Sequence, residues 1–413
     1  MKIAVIGAGV SGLVCAFHLS RAHDVVLFEK DDRLGGHTST ISVSHEGRTL
    51  AVDTGFIVFN QRNYPRFCEL LDRLGVASRP TTMSFSVRDD ATGFEYGGQS
   101  AAGVIGHWSN LLRPRWWRVI RGVSSLGRSG KAVLSRIGED ATIGDLYASR
   151  AFSRGFMDDY LVPMAAAIWS APRATLMDFP ARFFLRFFDN HGMLNLRERP
   201  QWRTIEGGSR RYIDAMMSVI AHSARIGTGV DRITRQPDGV LVHAGGQTHR
   251  FDHVVLAAHS DQSLAMLADP TPAERDILGA MPYQANHTVA HTDARLLPRR
   301  RACWAAWNYR LHADPERPVS VTYNMSILQG LETTTPICVT LNDAPEIDPA
   351  RTLARFTYHH PLYTLAGERA RARWHEISGV DRTHYCGAYW GNGFHEDGVV
   401  SGLRVCESLG VRP

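Results

Sequence analysis

The stretch that most constrains this chain is its beginning, KIAVIGAGVSGLVCAFHLSRAHDVVLFEK, residues 2–30. Residues Ile3 to Ile6 are apolar and partly β-branched, the pattern of a buried parallel strand. Gly7, Gly9 and Gly12 follow at the spacing G-x-G-x-x-G. The first permits a tight turn, the second lets backbone approach a pyrophosphate, and the third packs a helix onto the sheet. A helix is expected over Val10 to Ala22, its first amides (Val10, Ser11) and its dipole facing the pyrophosphate. DVVLFEK then reads as a second strand ending in Glu29, with Lys30 behind it. A carboxylate there suits ribose hydroxyls and repels a 2′-phosphate, which argues against NADP. Strand, glycine turn, helix and acid together describe a dinucleotide-binding α/β unit. The alternative is a glycine-rich turn in some other α/β unit.

The 413 residues leave room for two sizeable domains, and 44% hydrophobic with 21% charged residues is a globular composition. Six cysteines are scattered without a C-x-x-C pair, which fits a reducing compartment and no zinc. Met1 leads straight into the first strand, so no signal peptide is expected, and no apolar run approaches the roughly 18 residues of a membrane span. A cytoplasmic protein, soluble or peripheral to the inner membrane face, is the expectation. The net charge is +5, yet only three of the 46 basic residues are lysines, Lys2, Lys30 and Lys131. A biased genome explains that as well as any function does.

After Glu29 comes DDRLGGHTST, in which Gly35 and Gly36 open a second loop near the nucleotide and Arg33 stands ready to meet phosphate charge. The combination of G-x-G-x-x-G, the acid and R-x-G-G resembles the flavin amine oxidase superfamily, where it marks FAD. The resemblance implies a Rossmann-like FAD-binding domain of the amine oxidase/glutathione-reductase type, interleaved with an α+β substrate domain. On this sequence the FAD domain takes residues 1–75, 204–265 and 370–413, and the substrate domain takes 76–203 and 266–369. TIEGGSRRYIDAM (204–216) resembles the turn and helix that return to the FAD domain, and GVDRI the short strand whose backbone near Val230 meets adenine. A meander follows, with strands around Val240–His243 and Val254–Ala258. YCGAYWGNGFHEDGVVSGLRV reads as strand, glycine loop and helix, its amides pointing at the flavin. The resemblance thus implies FAD held non-covalently by Gly7, Gly9, Val10, Ser11, Gly12, Glu29, Lys30, Arg33, Gly35, Gly36, His37, Thr38, Thr54, Gly55, Phe56 and Val230, and by Gly387, Gly393, Phe394, Glu396, Asp397, Gly398 and Val399.

VDTGFIVFNQRNYP, MSFSV, IWSAP, YHHPLYTLAG and GFHEDG together resemble one branch of that superfamily. It comprises bacterial flavin proteins associated with cyclopropane-fatty-acid-synthase-like methyltransferases, and the N-terminal flavin domain of plant cyclopropane fatty acid synthases. The branch includes the desaturase of furan fatty acid synthesis. The implied function is FAD-dependent desaturation of a methyl-branched or unsaturated acyl chain, phospholipid-linked, to a conjugated diene, with a lipid methyltransferase as partner. Two alternatives stand beside it: a flavin amine oxidase, and a flavin-bearing accessory protein without chemistry of its own. Amine oxidases of the superfamily usually place a lysine near flavin N5, and residues 132–413 contain none. Cys386 and Cys406 flank the final loop without the covalent-flavin motif and read as buried structural thiols.

His395 in GFHEDG is the candidate catalytic base, with Glu396 and Asp397 orienting the helix start; the alternative is that all three are structural caps. His359 and His360 are weaker candidates. The resemblance also puts Tyr309 and Tyr323 at the reaction centre, and Phe56, Phe59 and Trp307 around it. LMDFPARFFLRFF carries Phe183, Phe184, Phe187 and Phe188 on one helical face, beside Phe179, as a core helix or as a tunnel wall. CWAAWNYR (303–310) is expected to form a strand of the substrate sheet. Nothing suggests a metal site, and there is no G-x-S-x-G elbow. HWSNLLRPRWWRVIRGVSSLGRSGK combines Trp108, Trp116 and Trp117 with five arginines, and Pro114 starts a helix whose apolar face is Trp116, Val119, Ile120 and Val123. It suits either an anionic membrane surface or an ordinary surface helix. No nucleic-acid-binding module is present.

Overall fold

The apolar strand Lys2–Ile6 sits inside a five-stranded sheet whose order is Ala224–Arg225, Asp24–Phe28, Lys2–Ile6, His253–Leu256, Thr383–Tyr385. Every pairing in it is parallel. A parallel strand covered on both faces must be apolar throughout, and Ile3, Ala4, Val5 and Ile6 are all buried. The structure, a computed structural model, describes residues 1–192, 200–312, 320–342 and 344–412. The first helix runs Val10–Leu19, shorter than the expected Val10–Ala22. Arg21 and Ala22 instead close tight turns onto His18 and Leu19, which lets the chain re-enter the sheet at Asp24.

The meander Val230–Gln236, Gly239–Ala244, Gln247–Phe251 is a separate antiparallel sheet that leads into His253–Leu256. The closing helix, His395–Ser408, lies against Val10–Leu19 at glycines. A Cβ on Gly398 would stand 2.5 Å from Val10 Cγ1, and one on Gly402 would stand 2.8 Å from the Ser11 carbonyl oxygen. Only hydrogen in place of a side chain lets these two helices approach with both N-termini at the same end of the sheet.

A seven-stranded sheet forms the other side of the molecule, ordered Thr352–Pro361, Tyr283–His291, Cys338–Leu341, Ser320–Asn324, Trp307–Leu311, Phe85–Asp89, Glu95–Gly97. Of CWAAWNYR only Trp307–Arg310 is strand; Cys303 ends a short 3-10 turn. A helical layer that includes Pro114–Leu134, Val162–Trp169 and Ala181–Asn190 packs with this sheet through one core, in which Trp116, Trp169, Phe183, Phe187, Tyr309 and Tyr363 are buried together. Phe179, Phe183, Phe184, Phe187 and Phe188 all fall in it, so the Phe-rich helix is a core helix. Burying each such ring contributes about 1.5–3 kcal/mol. No helix among the described residues is long and apolar enough to cross a membrane.

Candidate active site

The glycine loop shows directly why those positions are glycine. Gly7 has φ +99°, and a Cβ on Gly12 would lie 1.9 Å from the Gly7 carbonyl oxygen. A Cβ on Gly9 would meet nothing within 4 Å, so this side of the loop faces open space. The helix behind it has Gly9 as N-cap, no side-chain cap and no acid in its first turn. Its leading amides are therefore left for an anion, as a pyrophosphate requires. Gly9 bridges to Gly35, and the Gly35 amide donates to the Ala8 carbonyl at 2.8 Å, so the two glycine loops form one cradle.

Glu29 closes that cradle. Its Oε2 accepts the Ala8 amide at 2.8 Å and its Oε1 the Asp31 amide at 3.0 Å, each oxygen keeping further acceptor capacity. The Thr228 amide donates to the Glu29 carbonyl at 2.7 Å, bringing the start of the Val230 strand over this acid and beside the Cβ of Lys30. Arg33 behaves differently from expectation. Its guanidinium donates to the Gly36 carbonyl at 2.8 Å and the Thr38 carbonyl at 3.3 Å, so it braces the loop from within rather than standing ready for phosphate. Gly55 meets the same loop, since a Cβ there would be 2.1 Å from the His37 carbonyl oxygen. Thr54 Oγ1 is shared among Ser39 and the Tyr358 hydroxyl at 2.8 Å.

At the opposite wall His395 is buried at the first position of the closing helix, its ring stacked on Phe56 with centroids 3.5 Å apart. Its Nε2 lies 2.8 Å from Thr38 Oγ1 and 3.1 Å from the Tyr212 hydroxyl, which are themselves 2.6 Å apart. Burial, with the His37 ring nearby, pushes the His395 imidazole down to about 3, so it is neutral at physiological pH. Asp397 accepts its own helix's Phe394 amide at 2.9 Å. Glu396 does not cap that helix: it accepts the amides of Arg66 and Phe67, both at 2.9 Å, and so caps the Pro65–Leu74 helix instead. Gly393 (φ +87°) lies under Tyr363, whose hydroxyl would be 2.3 Å from a Cβ there, and Gly387 lies under Tyr389. Val399 is buried core.

Tyr309 and Tyr323 sit elsewhere. Both belong to the seven-stranded sheet; burial raises each phenol to about 12, and Tyr323 packs edge-on against Trp307. Neither hydrogen-bonds nor stacks with His395, Thr38 or Tyr212. Phe59 joins the His395 side through Phe56 and Phe67.

Several residues of the site had no place in the sequence reading. Tyr212 is one; its only signal was an aromatic residue on the buried face of an amphipathic helix. Asp53, fully buried, accepts from Thr40 Oγ1, the Ser209 amide and hydroxyl, and Gln329 Nε2, joining a hairpin to the Arg210–Ile220 helix; burial raises its carboxyl to about 6. The structure also joins two residues that the sequence named separately, His37 and His360, with His259, which it did not name, in a histidine cluster: His37 faces Tyr358 and His360 at 5.2 Å and His259 at 6.2 Å, and His259 stacks on Tyr283. Burial lowers His37 and His360 to about 3 and His259 to about 4. His37 Nε2 is buried with no hydrogen-bond partner, beside the glycine cradle. An uncapped helix start, a glycine cradle that side chains would fill, an acid with spare acceptor capacity and an orphaned imidazole nitrogen fit a flavin dinucleotide. Among the described residues no metal-binding cluster is present.

The architecture is thus that of a flavoprotein oxidoreductase, with a dinucleotide cradle at the five-stranded parallel sheet that the seven-stranded sheet reaches through Tyr358 and His360. Residues 10–293 match the flavin-containing amine oxidoreductase family, and the chain belongs to it. AofH of Mycobacterium tuberculosis, a candidate flavin-containing monoamine oxidase, is 25% identical over 346 residues, 79% of this chain and 71% of that protein. The flavin-dependent L-tryptophan oxidase RebO of Lentzea aerocolonigenes is 26% identical over 62% of this chain and 57% of its own length. Among solved structures, putrescine oxidase bound to putrescine superposes with a TM-score of 0.70 at 14% identity over 99% of both chains. The fatty acid isomerase of P. acnes that produces CLA does so with 0.70 at 17% identity, over 98% of this chain and 97% of that one. These likenesses establish the fold. The protein is an FAD-dependent oxidoreductase.

Proposed function

We propose that this oxidoreductase desaturates an apolar acyl chain, methyl-branched and already carrying an alkene, within a phospholipid. The observation that carries the reading is the placement of Arg371. Its guanidinium lies over the rings of Phe183 (5.3 Å) and Tyr363 (4.7 Å), the aromatic wall that continues through Phe187 to Phe394 beside His395. These rings are buried and a cation already covers their faces, so they offer no aromatic cage to a substrate ammonium. No lysine occurs after residue 131 to serve the chemistry of an amine oxidase. An apolar chain needs neither.

When bound, FAD supplies a two-electron hydride acceptor. An unactivated alkyl C–H is a poor hydride donor, whereas one beside a double bond leaves a delocalised cation. A proton then leaves the adjacent carbon, giving a conjugated diene. We assign its acceptance to the neutral imidazole of His395, with the Thr38 and Tyr212 hydroxyls, each able to donate or accept, as its outlet. Buried rings around these groups exclude water that would stabilise the wrong charges. A methyltransferase that installs the branch is the partner this reading implies.

The second reading, amine oxidation, is favoured by the relatives named above, which include oxidases of putrescine and L-tryptophan. One experiment separates the two. Under anaerobic conditions, methylated unsaturated phospholipid should bleach the flavin absorbance of the purified protein and yield diene, while putrescine, cyclohexylamine and L-tryptophan should not. Bleaching by an amine alone overturns the desaturase reading, and bleaching by none of them favours an accessory role.

A further inference from the structure

Ten large hydrophobic side chains are exposed among the described residues, and five of them, Ile105, Trp108, Leu111, Leu112 and Trp117, fall within residues 105–117. Trp108 is 67% and Leu112 75% exposed. This is not a loose loop. The Trp108–Leu112 turn is anchored from inside by buried Asn110, which donates to the carbonyls of Glu95 (3.1 Å) and Ile105 (2.8 Å). The Trp117 indole donates to the Leu111 carbonyl at 2.9 Å, holding that ring beside the turn. The helix that follows turns its apolar face inward: Trp116 and Val119 are buried, and the Trp116 indole donates to the Val104 carbonyl. The apolar helix face read from the sequence therefore belongs to the core. The residues left outside are those of the turn, with Trp117.

The chain segment that carries this patch bears charge of one sign. Residues 96–138 contain no Asp or Glu and seven cations. Arg115 is taken up by Asp89 and Asp159, and Lys131 approaches Asp189. Arg113, Arg118, Arg121 and Arg128 have no carboxylate partner among the described residues. Beside the turn lies a cleft of about 430 Å³ whose walls include Arg113, Arg299, Arg300 and His107. The acids around it are already paired: Glu95 accepts from the Arg299 and Arg300 amides and the Arg300 guanidinium, Asp89 from Thr92 and Arg115, and Asp90 ion-pairs with Arg88, Arg310 and, at 3.8 Å, Arg299.

We propose that this face docks on an anionic phospholipid bilayer, with Trp108, Leu111, Leu112 and Trp117 entering the interface and the arginine cleft taking a lipid phosphodiester. Tryptophan and leucine at the headgroup boundary, rimmed by arginine, match such a surface in both polarity and charge. A second copy of the chain is disfavoured, because two faces with the same surplus of positive charge repel. The Pro114–Leu134 helix shares its core with Phe183, Phe187 and Tyr363, which ties the docking face to the aromatic wall. The proposal does not depend on the reaction assigned above.

The test is flotation of the FAD-loaded protein with phosphatidylcholine vesicles, with and without phosphatidylglycerol. Binding should require the anionic lipid. It should weaken as salt rises from about 0.1 to about 1 M, which shortens the screening length from roughly 10 to 3 Å. Arg113→Glu with Arg121→Glu should lower the partition coefficient by more than about 25-fold, at about fivefold for each lost cation. Trp108→Ser with Leu112→Ser should lower it at least tenfold while leaving soluble, yellow protein that oxidises detergent-dispersed substrate as before. Undiminished flotation of either variant overturns the proposal. So does displacement of the protein from vesicles by free phosphate or RNA at constant ionic strength, or a dimer in sedimentation that these substitutions abolish.

Discussion

His395 Nε2 and Thr38 Oγ1 lie 2.8 Å apart, so the first residue of the closing helix is bonded directly to the second glycine loop. The Tyr212 hydroxyl completes a triangle with both. Three segments distant in sequence, the loop after Gly36, the Arg210–Ile220 helix and the closing helix, meet in one hydrogen-bonded cluster next to Phe56. A cluster of this kind can pass a proton, and it also fixes the loop.

Turnover should show the first role. His395→Ala is expected to lose about 10²–10⁴-fold in rate, the usual contribution of a general base, while retaining FAD. Tyr212→Phe should lose less, because Thr38 still reaches the imidazole. Single-turnover bleaching checks both; parental rates in His395→Ala would assign the histidine to positioning alone.

Glu29→Ala should weaken FAD retention by about tenfold to a hundredfold, since hydrogen bonds to a charged group contribute about 1.5–3 kcal/mol. The Ala8 amide also loses its partner, so the apoprotein should melt earlier as well. Glu29→Gln should be milder on both counts. Fluorimetric titration of apoprotein with FAD gives the affinities, and an unchanged affinity in Glu29→Ala argues against a ribose contact.

Gly12→Ala and Gly9→Ala should fail in different ways. The first puts a methyl 1.9 Å from the Gly7 carbonyl oxygen and should leave little folded protein. The second meets no protein atom within 4 Å, so the chain should fold and lose flavin instead. Circular dichroism and the ratio of flavin to protein absorbance distinguish the two outcomes.

Stability should fall in acid. His37, His360 and His395 hold pKa values near 3 and His259 near 4, whereas the unfolded chain titrates near 6.5. Between those limits the unfolded state binds more protons. Each buried histidine therefore lowers stability by up to about 1.4 kcal/mol for every pH unit below 6.5, and the loss is absent above it. Asp53 has the opposite sign: its carboxyl is raised to about 6, so its contribution is present below about pH 4 and is lost as pH rises to 6. Urea unfolding at pH 7.5 and 5.5 should show a clear net loss, reduced in His360→Gln. Equal stability at the two pH values contradicts the burial of neutral histidines.

FAD should be released by acid precipitation into the supernatant. Cys386 and Cys406 are fully buried, and Cys386 Sγ lies 3.7 Å from Cys15 Sγ between the two packed helices, so these thiols have structural partners. Yellow colour left in the pellet would overturn non-covalent binding, and Cys386→Ser should keep its flavin.

Much of the cradle was legible in the chain because it is local. Gly7, Gly9 and Gly12 are constrained by a turn, a close approach and a helix contact within six residues, and Glu29 follows one helix later at the end of the paired strand. Periodicity likewise marked the Phe-rich helix as apolar on one face. What sequence could not carry was the choice among equivalent polar groups. Arg33 could meet a phosphate or its own loop's carbonyls, and Glu396 could cap its own helix or another. Trp116 and Trp117 are neighbours of identical chemistry, one in the core and one at the surface. Each of these was decided by contacts between segments far apart in the chain. Glu396 lies 330 residues from Arg66, and His395 lies 357 from Thr38. Local pattern records which residues can be buried or bonded; only the packing of distant segments selects the partner each one takes.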